Sequence, residues 1–153
     1  MDLVAPLRCS PASRERIDIV APSLSVVVVD DQAPFRLAAR AVLGRSKGFE
    51  LVGEAENGVE AISLVGELRP DLVLMDINMP EMGGIEATRR IVADYADTFV
   101  ILCSTYDVSD LPPDAATSGA RAYVNKERLD AKTLRRLWDD RDSDGSSSFT
   151  ALS

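Results

Sequence analysis

Between Pro70 and Glu86 the chain reads PDLVLMDINMPEMGGIE, and the apolar run Leu72 to Met75 stops dead at Asp76. A polar turn bearing Pro80, Gly83 and Gly84 follows, and a helical pattern opens near Ile85. An apolar run of this length between a proline and a turn fits a strand buried on both faces, as in a parallel sheet sandwiched between helices. In such sheets functional groups gather just past the carboxyl ends of the strands, which is where Asp76 stands. An aspartate there can also do no more than end a strand or cap a turn. This stretch alone does not separate the two readings; the other strand ends do.

Taken in order, residues 1–23 carry Pro6, Pro11 and Pro22 with mixed charges and no periodicity, and are expected to form a disordered tail. Leu24 to Val29 is a β-branched run ending at Asp30-Asp31, a first strand apolar on both faces and hence central. Phe35, Ala38, Ala39, Val42 and Leu43 then recur at helical spacing, with Arg36 and Arg40 facing away. Phe49 to Ala55 alternates and suits an edge strand. Asn57 with Glu60 resembles a capping box for a helix that ends before Pro70. A third helix is expected at about Ile85 to Tyr95, and a fourth strand from Thr98 to Cys103, ending at Ser104. Leu111-Pro112-Pro113-Asp114 reads as the start of a short fourth helix that must end near Gly119. Ala122 to Val124 is a brief fifth strand closing at Asn125-Lys126, and Asp130 caps a last helix with Leu134, Leu137 and Trp138 inward.

Five β–α pairs imply an α/β, doubly wound parallel sheet, (βα)5 and flavodoxin-like, with right-handed crossovers. Strand order 2-1-3-4-5 fits best, because only the second strand reads as an edge. One domain is expected over 24–139, followed by a disordered acidic, Ser-rich tail over 140–153, since acidic residues oppose the dipole at a helix C-terminus.

Composition narrows the function. With 25 acidic against 17 basic residues the net charge is −8, which repels phosphate backbones and argues against direct nucleic-acid binding. The chain has no histidine, which removes histidine bases, the commonest zinc ligand, and any role as a phosphohistidine donor. Of its two cysteines, Cys9 lies in a polar stretch and Cys103 in an apolar one, so Cys103 reads as a small buried hydrophobe in a reducing compartment. No apolar segment has transmembrane length and no signal peptide is evident, so a cytoplasmic protein without membrane contact is expected.

The strand ends, set side by side, carry the chemistry: Asp30 and Asp31 after the first strand, Asp76 after the third, Ser104 after the fourth, Lys126 after the fifth. In a parallel sheet all project at one edge. Three close carboxylates raise one another's pKa unless a cation intervenes. Magnesium suits them, since it takes oxygen ligands, keeps several waters and is held by one or two carboxylates plus a phosphate. The Lys126 ammonium and Ser104 hydroxyl are what the remaining oxygens of a phosphoryl group require. Asp76 is the central candidate nucleophile.

These residues, Asp30-Asp31 after VVVV, Asp76 in DINMPEMGG, Ser104 in ILCSTYD and GARAYVNK ending at Lys126, resemble a receiver domain of the two-component response-regulator family from Ser25 to Trp138. The resemblance implies that Asp76 accepts phosphate from a partner kinase's phosphohistidine. It implies further that Asp30 and Asp31 hold Mg2+ with Asp76 and the backbone carbonyl of Asn78, and that Ser104 and Lys126 bind the phosphoryl oxygens. Tyr123 would be the aromatic switch that follows Ser104. Ser104 replaces the commoner Thr, and Gly83 stands where the family usually has a polar residue. The Pro112-Pro113 segment departs most, in a region that normally belongs to the signalling face.

The function expected is a single-domain response regulator that signals by protein–protein contact to an unknown downstream partner, with no enzyme activity beyond its own phosphorylation and dephosphorylation. Two alternatives stand beside it: the receiver portion of a DNA-binding transcription regulator, with DSDGSSS as linker, and an interaction module that works without phosphate. An aspartate-nucleophile phosphatase needs an acid–base carboxylate two residues after the nucleophile, where Asn78 stands.

Overall fold

The computed structural model describes residues 23–142 and 149–152. Six parallel strands form one sheet in the order β2-β1-β3-β4-β5-β6. They are β1 (Leu24–Val29), β2 (Phe49–Ala55), β3 (Leu72–Asp76), β4 (Phe99–Ser104), β5 (Ala122–Asn125) and β6 (Thr150–Leu152). The helices are α1 (Ala33–Gly44), α2 (Gly58–Leu68), α3 (Gly84–Asp94) and α4 (Ala131–Asp139). None of these is long and apolar enough to cross a membrane.

Alternation along the strands divides the core in two. Val27, Val29, Val73, Met75, Val100, Leu102 and Tyr123 pack with Ala61 and Val65 of α2 and Ala87 and Ile91 of α3. Val26, Val28, Leu72, Leu74, Ile101, Cys103 and Val124 pack on the other face with Ala39 and Leu43 of α1 and Leu134 of α4. Adjacent residues therefore point to opposite layers, and the strands read as continuous apolar runs because both faces are covered. Cys103 is buried and unpaired, and burial pushes its thiol up to about 12, consistent with a packing role.

The helix starts follow the sequence closely. Asn57 Oδ1 accepts from Glu60 N at 2.9 Å while Glu60 Oε1 accepts from Glu56 N at 2.9 Å. Asp130 Oδ1 accepts from Thr133 N at 2.7 Å. Side-chain acceptors here satisfy amides that the first turn of a helix leaves without partners.

Three expectations are corrected. The shortened helix expected between β4 and β5 does not form. Two single 3-10 turns, Val108–Asp110 and Pro113–Ala115, take its place, with Pro112 extended between them (φ −56°, ψ 138°). Pro113 does open a turn, but the chain enters the left-handed region at Gly119 (φ +100°), before a helix can propagate. The segment 140–153 is not wholly a free tail: Thr150–Leu152 pairs in parallel with β5, Tyr123 opposite Ala151. Phe149 and Leu152 pack against opposite faces of the core, and that burial gives the short strand its place. The order 2-1-3-4-5 is thus extended to a sixth position. Finally, Arg36 does not face away from the domain, for reasons that belong to the site. The tail expected over 1–23 lies outside the described residues apart from Ser23, as do 143–148.

Candidate functional site

Strand register assembles the polar cluster. Val29 lies opposite Met75, so Asp30 and Asp76 leave the sheet side by side. Asp76 in turn lies opposite Cys103, which precedes Ser104, and Ser104 opposite Asn125, which precedes Lys126. Asp30 and Asp76 are level, and each of the next two steps moves one residue further along the chain, so the cluster slants over the carboxyl ends of four strands. Carboxylate oxygens of Asp30, Asp31 and Asp76 all lie within 4.8 Å of one another. Lys126 Nζ stands 2.7 Å from Asp30 Oδ2 and 3.4 Å from Asp76 Oδ1.

The surroundings hold these groups firmly. Asp30 is fully buried, its Oδ1 accepting from Gln32 N at 2.8 Å. Its Oδ2 has the ammonium beside it but no well-directed hydrogen bond. Asp76 Oδ1 accepts from Ile77 N at 3.0 Å. Burial, with Asp30 adding, pushes the Asp76 carboxyl up to about 6, although Lys126 pulls it back. Burial alone would lower the Lys126 pKa, but the close carboxylates of Asp30 and Asp76 outweigh that and raise it. Three carboxylates against one ammonium leave the cluster short of positive charge. An incompletely bonded buried oxygen beside two more carboxylates fits a hard divalent cation, which takes oxygen ligands of this kind.

Ser104 is buried at the end of β4. Tyr123 is fully buried, and its hydroxyl reaches the carbonyls of Tyr106 at 2.6 Å and Ser104 at 3.0 Å. Burial pushes that phenol up to about 12. Asn78 Nδ2 donates to the Tyr106 hydroxyl at 2.9 Å, and Asn125 Nδ2 to the Tyr106 carbonyl at 3.0 Å. The sequence-predicted residues Asp30, Asp31, Asp76 and Lys126 therefore meet. Ser104 and Tyr123 are joined through the backbone of β4, and Asn78 is tied to the loop beyond it.

Four contributors went unread in the sequence. Tyr106 is the hub of the loop after β4. Phe35 presents its ring to Lys126, with Nζ 4.7 Å from the centroid. Arg36 donates to the Asp30 carbonyl at 2.6 Å while its guanidinium lies 3.4 Å from Glu54 and 3.7 Å from Glu56. An arginine one turn into the helix after an acidic pair was the available signal. Gly84 does more than belong to the turn: its N donates to the Ile77 carbonyl at 2.8 Å, and its lack of a Cβ lets α3 start against the Asp76 backbone.

A doubly wound parallel sheet with an acidic cluster and a lysine at its carboxyl edge defines a flavodoxin-like α/β protein with a site where the strand order reverses, between β1 and β3. Residues 26–137 match the response regulator receiver domain family, and the chain belongs to it. It is 37% identical over 111 residues to the transcriptional regulatory protein DegU of Brevibacillus brevis, covering 72% of this chain and 47% of that one. It is 38% identical over 114 residues to the chemotaxis protein CheY of Listeria monocytogenes, covering 74% and 95%. A two-component response regulator of the LuxR family from Aurantimonas superposes with a TM-score of 0.72 at 29% identity, over 86% and 90% of the two chains. The chain thus spans about half of the DegU-type relative and nearly all of CheY.

Proposed function

We propose that this chain is a phospho-acceptor switch, phosphorylated on Asp76 by a partner histidine kinase or phosphotransfer protein and read out by protein–protein contact. The observation that carries this reading is the ammonium of Lys126 set between the carboxylates of Asp30 and Asp76, with Asp31 alongside. A carboxylate oxygen of Asp76 forms the new bond to phosphorus as the phosphorus–nitrogen bond of the donor breaks, leaving the donor imidazole. Asp30 and Asp31, with Asp76 and the Asn78 carbonyl, would hold Mg2+, which supplies charge neutralisation when bound. Lys126 and the Ser104 hydroxyl would take the other phosphoryl oxygens.

The signal would pass from the Asp76 phosphoryl group to Ser104 and on to Tyr123, a charge and hydrogen-bond event with a packing readout. Tyr123 already lies inward, bonded to the Ser104 and Tyr106 carbonyls. On this reading phosphorylation reinforces one arrangement of the β4 loop rather than swinging an exposed ring inward.

The near-complete coverage of CheY supports reading the matched region as a whole receiver, the form a single-domain output takes. The half coverage of DegU favours a second reading, the receiver portion of a DNA-binding transcription regulator. A longer polypeptide detected in the source cells with antibody to this domain would decide for the second. For the shared chemistry, the protein is incubated with Mg2+ and a small acyl phosphate and the added mass located by peptide mass spectrometry. Label on Asp76, absent in Asp76→Asn, is the expected result; label that survives in the variant overturns the assignment.

A further inference from the structure

We propose that Phe35 is a positioning residue for Lys126, its ring face retaining the ammonium at the cluster once a divalent cation claims Asp30. The inference rests on the reading of Lys126 as a ligand of the phosphoryl group. In this structure the tightest partner of Lys126 is Asp30 Oδ2, at 2.7 Å. That carboxylate belongs to the acidic cluster that a hard cation would use, so a bound cation would compete with the contact that holds the lysine. What stays in place is the Phe35 ring, 4.7 Å from Nζ, within the range at which an aromatic face attracts a cation.

The ring is well fixed for this task. Phe35 is half-buried and packs against the core cluster on the α1 side of the sheet. Its N donates to the Gln32 carbonyl at 3.1 Å in the first turn of α1. The next residue, Arg36, ties the same turn to the Asp30 carbonyl. The turn that carries the ring therefore keeps register with the acidic pair, while an unrestrained lysine stem has four rotatable bonds with which to swing into water. The Lys126 side chain is only 15% exposed, so the ring also stands where water would otherwise compete for the ammonium.

Two measurements test this. The first is the rate of phosphate incorporation from a small acyl phosphate in saturating Mg2+, for wild type, Phe35→Leu and Phe35→Tyr. Leucine fills the core without a π face, so a loss of about fivefold is expected, the size of a modest cation–π contact, with tyrosine near the wild-type rate and Mg2+ affinity by calorimetry unchanged. The second needs no phosphate. The ε-methylene protons of Lys126 should show an upfield ring-current shift in the NMR spectrum that persists on adding Mg2+ and disappears in Phe35→Leu. Incorporation by Phe35→Leu at the wild-type rate, equal slowing in both variants, or a shift that collapses with Mg2+ overturns the proposal. If wild type takes up no phosphate at Asp76, the functional reading falls by itself, and the NMR measurement still decides what holds Lys126.

Discussion

The carbonyl oxygen of Asp76 occupies the space that a side chain on Gly84 would need: a Cβ built there overlaps that oxygen and stands 2.9 Å from the carbonyl carbon. α3 thus begins against the backbone of the candidate phospho-acceptor. Its start is fixed by the bond from Gly84 N to the Ile77 carbonyl and, one turn on, by Thr88 Oγ1 donating to the Gly84 carbonyl at 2.7 Å.

Gly84→Ala should therefore cost more than its helix propensity would gain. The Met75 side chain, whose Cγ would also stand 2.9 Å away, can shift, but the Asp76 backbone cannot give by itself, so the strand end or the helix must move, at about 3 kcal/mol, the upper part of the overpacking range. Gly83→Ala meets only the Ile77 carbonyl at 3.0 Å and should cost clearly less. Urea unfolding of the two variants checks the order, and equal losses would show that the site does not depend on that close approach.

A second prediction concerns Asp76 and pH in the metal-free protein. Its carboxyl, pushed up to about 6 by burial and by Asp30, keeps a proton that the unfolded chain has already released. The ionised form consequently destabilises the fold in full above pH 6, and this penalty fades as the pH falls from 6 towards 4. The raised value corresponds to about 3 kcal/mol at its largest. Asp76→Asn should exceed wild type in stability by up to that amount at pH 8 and converge with it near pH 4. Denaturant unfolding with a chelator present measures the difference. Added Mg2+ should narrow it at pH 8, because a cation that binds the native carboxylates stabilises wild type by mass action.

Most of this architecture was legible because strands buried on both faces leave long apolar runs, and because Asp76, Ser104 and Lys126 each end one. Where neighbours far along the chain decide, legibility failed. Pro112-Pro113 can open a helix or break one, and Gly119 only six residues later settled the matter in favour of turns. Thr150–Leu152 has three residues after a polar stretch, too few for a period to emerge; it is a strand because β5 offers an unpaired edge. Phe35 was read correctly as facing inward, but its contact with Lys126 depends on β5 arriving from 90 residues away.

The sixth strand makes its own prediction. Thr150 N donates to the Arg121 carbonyl at 3.1 Å, and Phe149 and Leu152 lean on opposite faces of the sheet. A chain ended after Asp142 should lose about 2 kcal/mol, the burial of two partly covered side chains, and leave β5 as a bare edge prone to self-association. Hydrogen exchange should speed up in β5 while the protection of α2 keeps its rank. Unchanged exchange in β5 would mean that the strand contributes no protection in solution.

The last prediction separates the two roles of Arg36. Its side chain is 15% exposed and meets Glu54, 22% exposed, at 3.4 Å, whereas Glu56 at 3.7 Å is 66% exposed. The outer pair is solvated and worth little, so Glu56→Ala should be nearly silent. The inner contacts differ: the guanidinium joins the Asp30 carbonyl to Glu54, where Arg40 also binds at 2.7 Å. Removing it leaves the Asp30 carbonyl without its charged donor and Glu54 with Arg40 alone, and Arg36→Ala should cost about 2 kcal/mol. If Arg36 also sets the position of the acidic pair, Mg2+ affinity measured by calorimetry should fall severalfold in Arg36→Ala and recover in part in Arg36→Lys, which restores charge but not the planar fork. A variant that loses stability and keeps wild-type metal affinity would confine Arg36 to joining α1 with β2, and Asp30 would then owe its placement to the strand alone.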